Sequence, residues 1–227
     1  MKRFIIIAAS LLWGAALFAQ ELVIRIDDMG ALHSVNTASI DTYQNGIAKS
    51  VEVLAVGAWF PEAVKMLKEN PGLDVGIHLA ITSEWENVKW RPLTDCPTLV
   101  DENGYFFPMM GPNPAYPGQS VMENASKFDI KEIEKEFRAQ IEFALKNIPQ
   151  ITHISGHMMS TAYSPEVNAL VQKLSKEYNL PSVDRFDAFE QYDFEYVGYD
   201  GPKATAEEKI ASFIKMLDKL EKGKRYM

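Results

Sequence analysis

Cysteine is nearly missing from this 227-residue chain: Cys96 stands alone, so no internal disulfide can form and stability must come from the core. The sequence also has no Gly-x-Ser-x-Gly nucleophile elbow and no phosphate-binding P-loop, and Cys96 sits in a Pro-rich stretch without an evident catalytic partner. Internal repeats and low-complexity segments are absent. Basic charge is scarce, with 23 Lys and Arg against 31 Asp and Glu, which argues against a nucleic-acid or anionic-membrane partner.

Only one long apolar run exists, and it lies at the N-terminus. Lys2 and Arg3 precede Phe4 to Phe18, and Ala19-Gln20 follow, the layout of a secretory signal cleaved after Ala19. An uncleaved anchor is the competing reading, but the run is short for a span and contains Ser10 and Gly14. No Cys stands at the cleavage point, so no lipid anchor and no stable membrane attachment are expected. Residues 1–19 are thus read as a signal peptide and the protein as exported, periplasmic or extracellular. Loss of Lys2 and Arg3 leaves 21 basic residues against 31 acidic ones. The remaining chain, 20–227, is long enough for one sizeable core and is read as a single domain. Oligomeric state is not readable, and a homodimer is compatible with the composition.

The rest alternates. Leu22 to Ile26 reads as a buried strand that opens into Asp27-Asp28-Met29-Gly30. Ser34 caps a helix with Ile40, Tyr43 and Ile47 inward and Gly46 as a left-handed stop. Val51 to Val56 forms a second strand, Phe60-Pro61-Glu62 opens a helix with Val64 and Leu67 inward, and Leu73, Val75 and Ile77 form a third strand ending at His78. Asp129 with Glu132 starts a long helix whose stripe is Ile133, Phe137, Ile141 and Leu145, and Ile151 to Ser155 leads through Gly156 to His157. Ser164-Pro165-Glu166 starts the next helix, followed by a short strand near residues 182–186 and an aromatic, acidic loop over 186–203. Thr205 and Glu208 make a capping box for a last helix with Ile210, Phe213, Ile214, Leu217 and Leu220 inward and Gly223 as its stop. Arg225-Tyr226 begins another strand. Such alternation needs crossovers and predicts an α/β fold with mostly parallel strands. Its final βα units are lacking, which suggests truncation at the C-terminus.

Between Glu84 and Phe128 the alternation stops. Six prolines and the aromatics Trp85, Trp90, Tyr105, Phe106, Phe107 and Tyr116 occupy this stretch. The aromatics either stack on sugar rings, as long functional loops in compact domains do, or pin the loop to the core. Arg91, beside Trp90, either holds a polar substrate group or is engaged in an ordinary surface ion pair.

Two of the four His, His78 and His157, fall just past predicted strand ends, where Asp27 and Asp28 also fall. Two imidazoles and a carboxylate, with open positions for water or substrate, are a minimal catalytic metal site, and a second carboxylate is then free to act as base. His153 reads as a packed residue with a satisfied hydrogen bond and His33 as a partly exposed loop residue.

Asp27-Asp28-Met29-Gly30, Asn36, Asp74-Val75-Gly76-Ile77-His78-Leu79 with Thr82, and His153-Ile154-Ser155-Gly156-His157 together resemble the YdjC-like carbohydrate deacetylases, the group that contains chitooligosaccharide deacetylase. The resemblance implies a distorted or incomplete (β/α) barrel and hydrolysis of an N-acetyl group from an amino sugar or chitooligosaccharide-like substrate. It also implies one divalent ion, Mg or Zn, held by Asp28, His78 and His157, with Asp27 as base; Trp85, Trp90 and Arg91, taken from the Pro-rich stretch and not from the resemblance, are the substrate-binding candidates. Ser155-Gly156 stands where the family commonly has Asp-Ser, so a carboxylate that orients His157 is expected to be missing. A His-Pro-Gly segment is expected beyond Met227. The rival functions are a non-catalytic carbohydrate-binding protein on the same fold and a metal-dependent sugar isomerase.

Overall fold

The structure, a computed structural model, describes residues 21–124, 128–183, 194–195, 197–198 and 205–227. The expected signal peptide, most of the expected strand over 182–186 and most of the 186–203 loop lie outside the described residues. The chain divides into two compact units, Ile24–Asp187 and Met1–Val23 with Ala188–Met227.

The larger unit carries β2 (Arg25–Met29), α1 (His33–Asn45), β3 (Ser50–Val53), α2 (Phe60–Glu69), β4 (Asp74–Leu79), α3 (Val121–Asn124), α4 (Ile130–Asn147), β5 (Ile151–Gly156) and α5 (Pro165–Tyr178). The four strands pair in chain order, β2-β3-β4-β5, and every pairing is parallel, as the alternation predicts. All four C-terminal ends therefore lie on one edge, where βα loops collect functional groups.

The period of two along these strands separates two faces. Val51, Val53, Val75, Ile77 and Ile154 are fully buried toward the helices, packed with residues such as Leu67 on α2, Phe137 on α4 and Val171 on α5. The alternate positions are polar or bare: Glu52, Gly76, His78, His153 and Ser155. That second face is also buried, so its charges must be paired.

Helix starts follow their local chemistry, with some departures from expectation. Asp129 and Ser164 accept backbone N–H bonds from Lys131 and Val167, and Pro61 and Pro165 occupy first-turn positions. Helix α1 begins at His33, not after Ser34, and its N-cap Leu32 offers no side-chain acceptor. Gly46 is extended rather than left-handed, Ile47 lies beyond the helix end and is exposed, and Asn36 and Ser39 are the buried residues of the helix. Leu145 of α4 is exposed, and Ala144 takes the inward position next to it. The Pro-rich stretch is tied to α4 by two glutamates. Glu136 accepts from the backbone N–H groups of Leu93 and Thr94 at 3.0 and 2.9 Å, and Glu132 accepts from Thr98 N–H at 2.9 Å. Burial pushes the Cys96 thiol up to about 11, which removes it as a nucleophile.

In the smaller unit, β1 (Glu21–Leu22), β7 (Arg225–Tyr226) and β6 (Phe194–Glu195) form a parallel sheet in the order β1-β7-β6. Helix α6 (Ala206–Leu217) starts with the expected Thr205–Glu208 capping box. It ends at Leu217, six residues before Gly223. Ser212 and Met216 are its buried residues, whereas Ile210 and Ile214, expected inward, are exposed.

Candidate metal centre

Strand β2 ends in a register shift between Ile26 and Met29, and Asp28 takes a left-handed φ of 70°. An Asp tolerates that region better than most residues, but such backbone persists only where its surroundings fix it. Here they do. Gly30, with φ of 99°, lets the chain turn against Leu54, whose N–H donates to Met29 O at 2.8 Å, while Trp59 N–H donates to Gly30 O at 2.9 Å. Buried Asn36 completes the clamp by accepting from Gly30 N–H at 2.7 Å and donating to Trp59 O and Glu62 Oε2.

The bulge brings the Asp28 carboxylate onto the two imidazoles. Asp28 Oδ1 lies 3.0 Å from His157 Nδ1 and 3.5 Å from His78 Nε2, and one ligand atom from each of the three side chains lies within 4.8 Å of the others. Metal–ligand bonds of about 2.0–2.2 Å place neighbouring donors about 3.0–3.5 Å apart, so this donor set fits a divalent ion. Both imidazoles are almost completely buried. His157 precedes a tight turn in which Met158 and Met159 have φ of 48° and 62°, so unusual backbone flanks the centre on two strands.

Each His has a second partner. His157 Nε2 lies 2.9 Å from Glu84 Oε2, and His78 Nδ1 lies 2.7 Å from Ser155 Oγ. The carboxylate expected to be missing behind His157 is thus present, supplied by the loop after β4 instead of by the residues preceding His157. Burial alone pushes the His157 pKa down, but hydrogen bonds to Asp28 and Glu84 outweigh it and hold the imidazole up to about 9. Burial acts the other way on Asp28, raising it, and the hydrogen bond and charge of His157 bring its carboxyl below the usual range. Burial dominates at His78 and lowers its pKa against the opposing charges of Asp27 and Glu52.

The other sequence candidates separate. Asp27 is more exposed than Asp28 and accepts from Arg25 Nε at 2.8 Å. Its charge reaches His78, so it stands beside the centre. Trp90 is buried, donates its indole N–H to Thr82 O at 2.8 Å, and sets its ring 5.4 Å from that of His157. It packs against the imidazole rather than presenting a free face. Phe106 and Phe107 are core residues as well. Trp85 and Tyr116 line a cleft of about 770 Å³ together with Glu84 and Lys89. Arg91 lies over the Tyr105 ring at 4.3 Å and does not line that cleft. His33 is the first residue of α1, paired with Glu62 at 2.9 Å, and takes no part in the triad.

Sequence reading missed Glu84, Glu52 and Ser155. Glu52 is fully buried on β3, its Oε1 2.7 Å from His153 Nε2, and the two meet across Gly76 of β4. A lone Glu amid Val51 and Val53 was its signal, since Glu is almost never fully buried unless paired. Burial pushes the Glu52 carboxyl up, but the charge and hydrogen bond of His153, with Arg25 and His78 behind them, bring it down to about 2. Burial pushes His153 down, and Glu52 and Asp74 carry it above 6.5. Glu52 therefore stabilises the fold above pH 4.5, an effect lost as pH falls toward 2. His153 does so below pH 6.5, an effect lost as pH rises through its raised pKa. Denaturant titrations across pH should show wild type exceeding Glu52→Gln by the largest margin between about pH 4.5 and 6.5, by on the order of 3 kcal/mol.

A family model for YdjC-like protein matches residues 21–225. "Carbohydrate deacetylase 2" of Listeria innocua is 30% identical over 165 residues, covering 71% of this chain and 59% of that protein. "Carbohydrate deacetylase" of Geobacillus stearothermophilus is 33% identical over 161 residues, covering 70% and 57%. The chain thus spans under three-fifths of the length of these curated relatives. A solved structure from Enterococcus faecalis V583, described as a candidate cellobiose-phosphate cleavage protein, shares the fold, with a TM-score of 0.69 at 23% identity over 92% of this chain and 79% of that one. By the extent of the family match, this chain belongs to the YdjC-like family.

Proposed function

We propose that the protein removes the acetyl group from an N-acetylated amino sugar and that Asp28, His78 and His157 hold a divalent ion, Mg or Zn, for this purpose. The observation that carries the reading is the convergence of these three donors on the strand edge beside a cleft lined by Trp85 and Tyr116. The deacetylase names of the relatives support the reaction class. A bound ion would polarise the amide carbonyl and make its water acidic at neutral pH. Asp27, oriented by Arg25, takes the proton from the attacking water. Glu84 holds His157 while facing the cleft, and Trp85 offers a ring to the sugar. The four parallel strands are read as an arc of a (β/α) barrel whose polar inner face carries the centre. The N-terminal run is read as an export signal, on sequence alone.

Acetate release from N-acetylglucosamine oligomers, measured with and without added Mg or Zn, tests the function. Wild type should release acetate only with the ion, and Asp27→Asn should lose about a hundredfold or more in rate while still binding it. Ketose formation without acetate would make the protein an isomerase, and sugar binding unaffected by chelator without acetate release would make it a lectin-like binder.

A further inference from the structure

The buried face beneath the triad holds more polar chemistry than an ion site of three ligands uses. We propose that Glu52 and Ser155 are positioning residues: a carboxylate–hydroxyl relay that fixes His78 as the Nδ1–H tautomer, leaving its Nε2 lone pair directed at Asp28.

The assignment follows from counting hydrogens. Ser155 Oγ donates its single hydrogen to Glu52 Oε2, since a carboxylate can only accept. Its oxygen is then limited to accepting, so the 2.7 Å contact with His78 Nδ1 must be an N–H donated by the imidazole. His78 Nε2, 3.5 Å from Asp28 Oδ1, is thereby the nitrogen free to bind an ion. Both relay members are fully buried, so water cannot substitute for either without a rearrangement. Glu52 is itself held from the far side by His153 Nε2 on its other oxygen, and His153 Nδ1 lies 2.7 Å from Thr152 Oγ1. The chain Thr152, His153, Glu52, Ser155 and His78 thus runs across β3, β4 and β5 and ends at the centre. A hydrogen-bonded carboxylate behind a ligating imidazole sets ring orientation and raises donor strength, and its loss typically weakens metal binding 10- to 100-fold. The relay's effect on ion binding rests on the metal reading above; the tautomer does not.

Nitrogen-15 NMR of ring-labelled His in the whole chain, stripped with EDTA, reads the tautomer directly, and calorimetric titration with Zn²⁺ and Mg²⁺ reads affinity. Wild-type His78 should carry its proton on Nδ1. Ser155→Ala should produce a tautomer mixture and bind either ion about 10- to 100-fold more weakly. Glu52→Gln, which keeps a similar shape but removes the charge, should weaken binding less. A merely structural role would lower the melting temperature and leave tautomer and affinity unchanged. A proton on Nε2 of wild-type His78 overturns the relay whether or not the variants fold, as does an unaltered tautomer and affinity in Ser155→Ala. A wild type that binds neither ion overturns the metal reading instead and leaves the NMR result to decide the relay.

Discussion

Asp28→Ala should abolish acetate release, lowering the rate by about a thousandfold or more, while the protein stays folded. The size follows from the proposed role: an ion held at this centre would contribute several kcal/mol to charge stabilisation in the transition state, and about 4 kcal/mol corresponds to a thousandfold. Asp28 is the hub, because its Oδ1 is the atom that faces both His78 and His157. Its backbone is also unusual, with φ of 70°, and Ala tolerates that region less well than Asp. Asp28→Asn separates the two effects, since Asn accepts left-handed backbone readily and lacks only the charge. Asn should therefore keep the backbone of wild type and lose most of the activity, with any fall in thermal stability reporting only the broken ion pair to His157. Activity retained in Asp28→Asn would move the chemistry elsewhere in the cleft.

Gly76→Ala should cost about 3–5 kcal/mol in stability, the range for splitting a buried ion pair. A Cβ at residue 76 would overlap Glu52 Oε2 and His153 Nε2 and stand 2.7 Å from Glu52 Cδ. Neither partner has room to withdraw, because Glu52 is wholly buried and His153 nearly so. At about 2–4 °C per kcal/mol for a protein of this size, the melting temperature should fall by roughly 10 °C. Gly118→Ala is the comparison: its φ is 71°, but no atom lies within 4 Å of the added Cβ, so only about 1 kcal/mol of backbone strain applies. Calorimetric melting of the two variants should separate them clearly, and equal losses would mean that Gly76 matters only as backbone.

The contrast between these two sites shows which features could be read from the chain. Asp28, His78 and His157 were legible because each follows a β-branched or apolar strand, and parallel alternation puts all such ends on one edge. The parallel pairing and the helix starts at Pro61, Asp129 and Ser164 were legible for the same local reasons. What stayed hidden depends on partners far apart in sequence. Glu52 meets His153 101 residues later, and Glu84 meets His157 73 residues later, so neither pairing has a local signature. Ser155 looked like the loss of a carboxylate, yet its hydroxyl connects His78 to a carboxylate on another strand. Trp90 looked like a sugar platform, and the structure instead buries it against His157 with its indole N–H satisfied. Whether an aromatic in the Pro-rich stretch faces core or cleft is decided by how Glu132 and Glu136 tie that stretch to α4, which no pattern of single residues records.

The proposed deacetylation depends most on Asp28, His78 and His157 acting as one ion-binding centre. Calorimetric titration of the EDTA-stripped protein with Zn²⁺ and Mg²⁺, beside His157→Ala, tests this directly. Wild type should bind one ion per chain and release a proton as the ion displaces it from His157, and the variant should lose that binding. Equal binding in wild type and His157→Ala, or no binding of either ion to wild type, would contradict it.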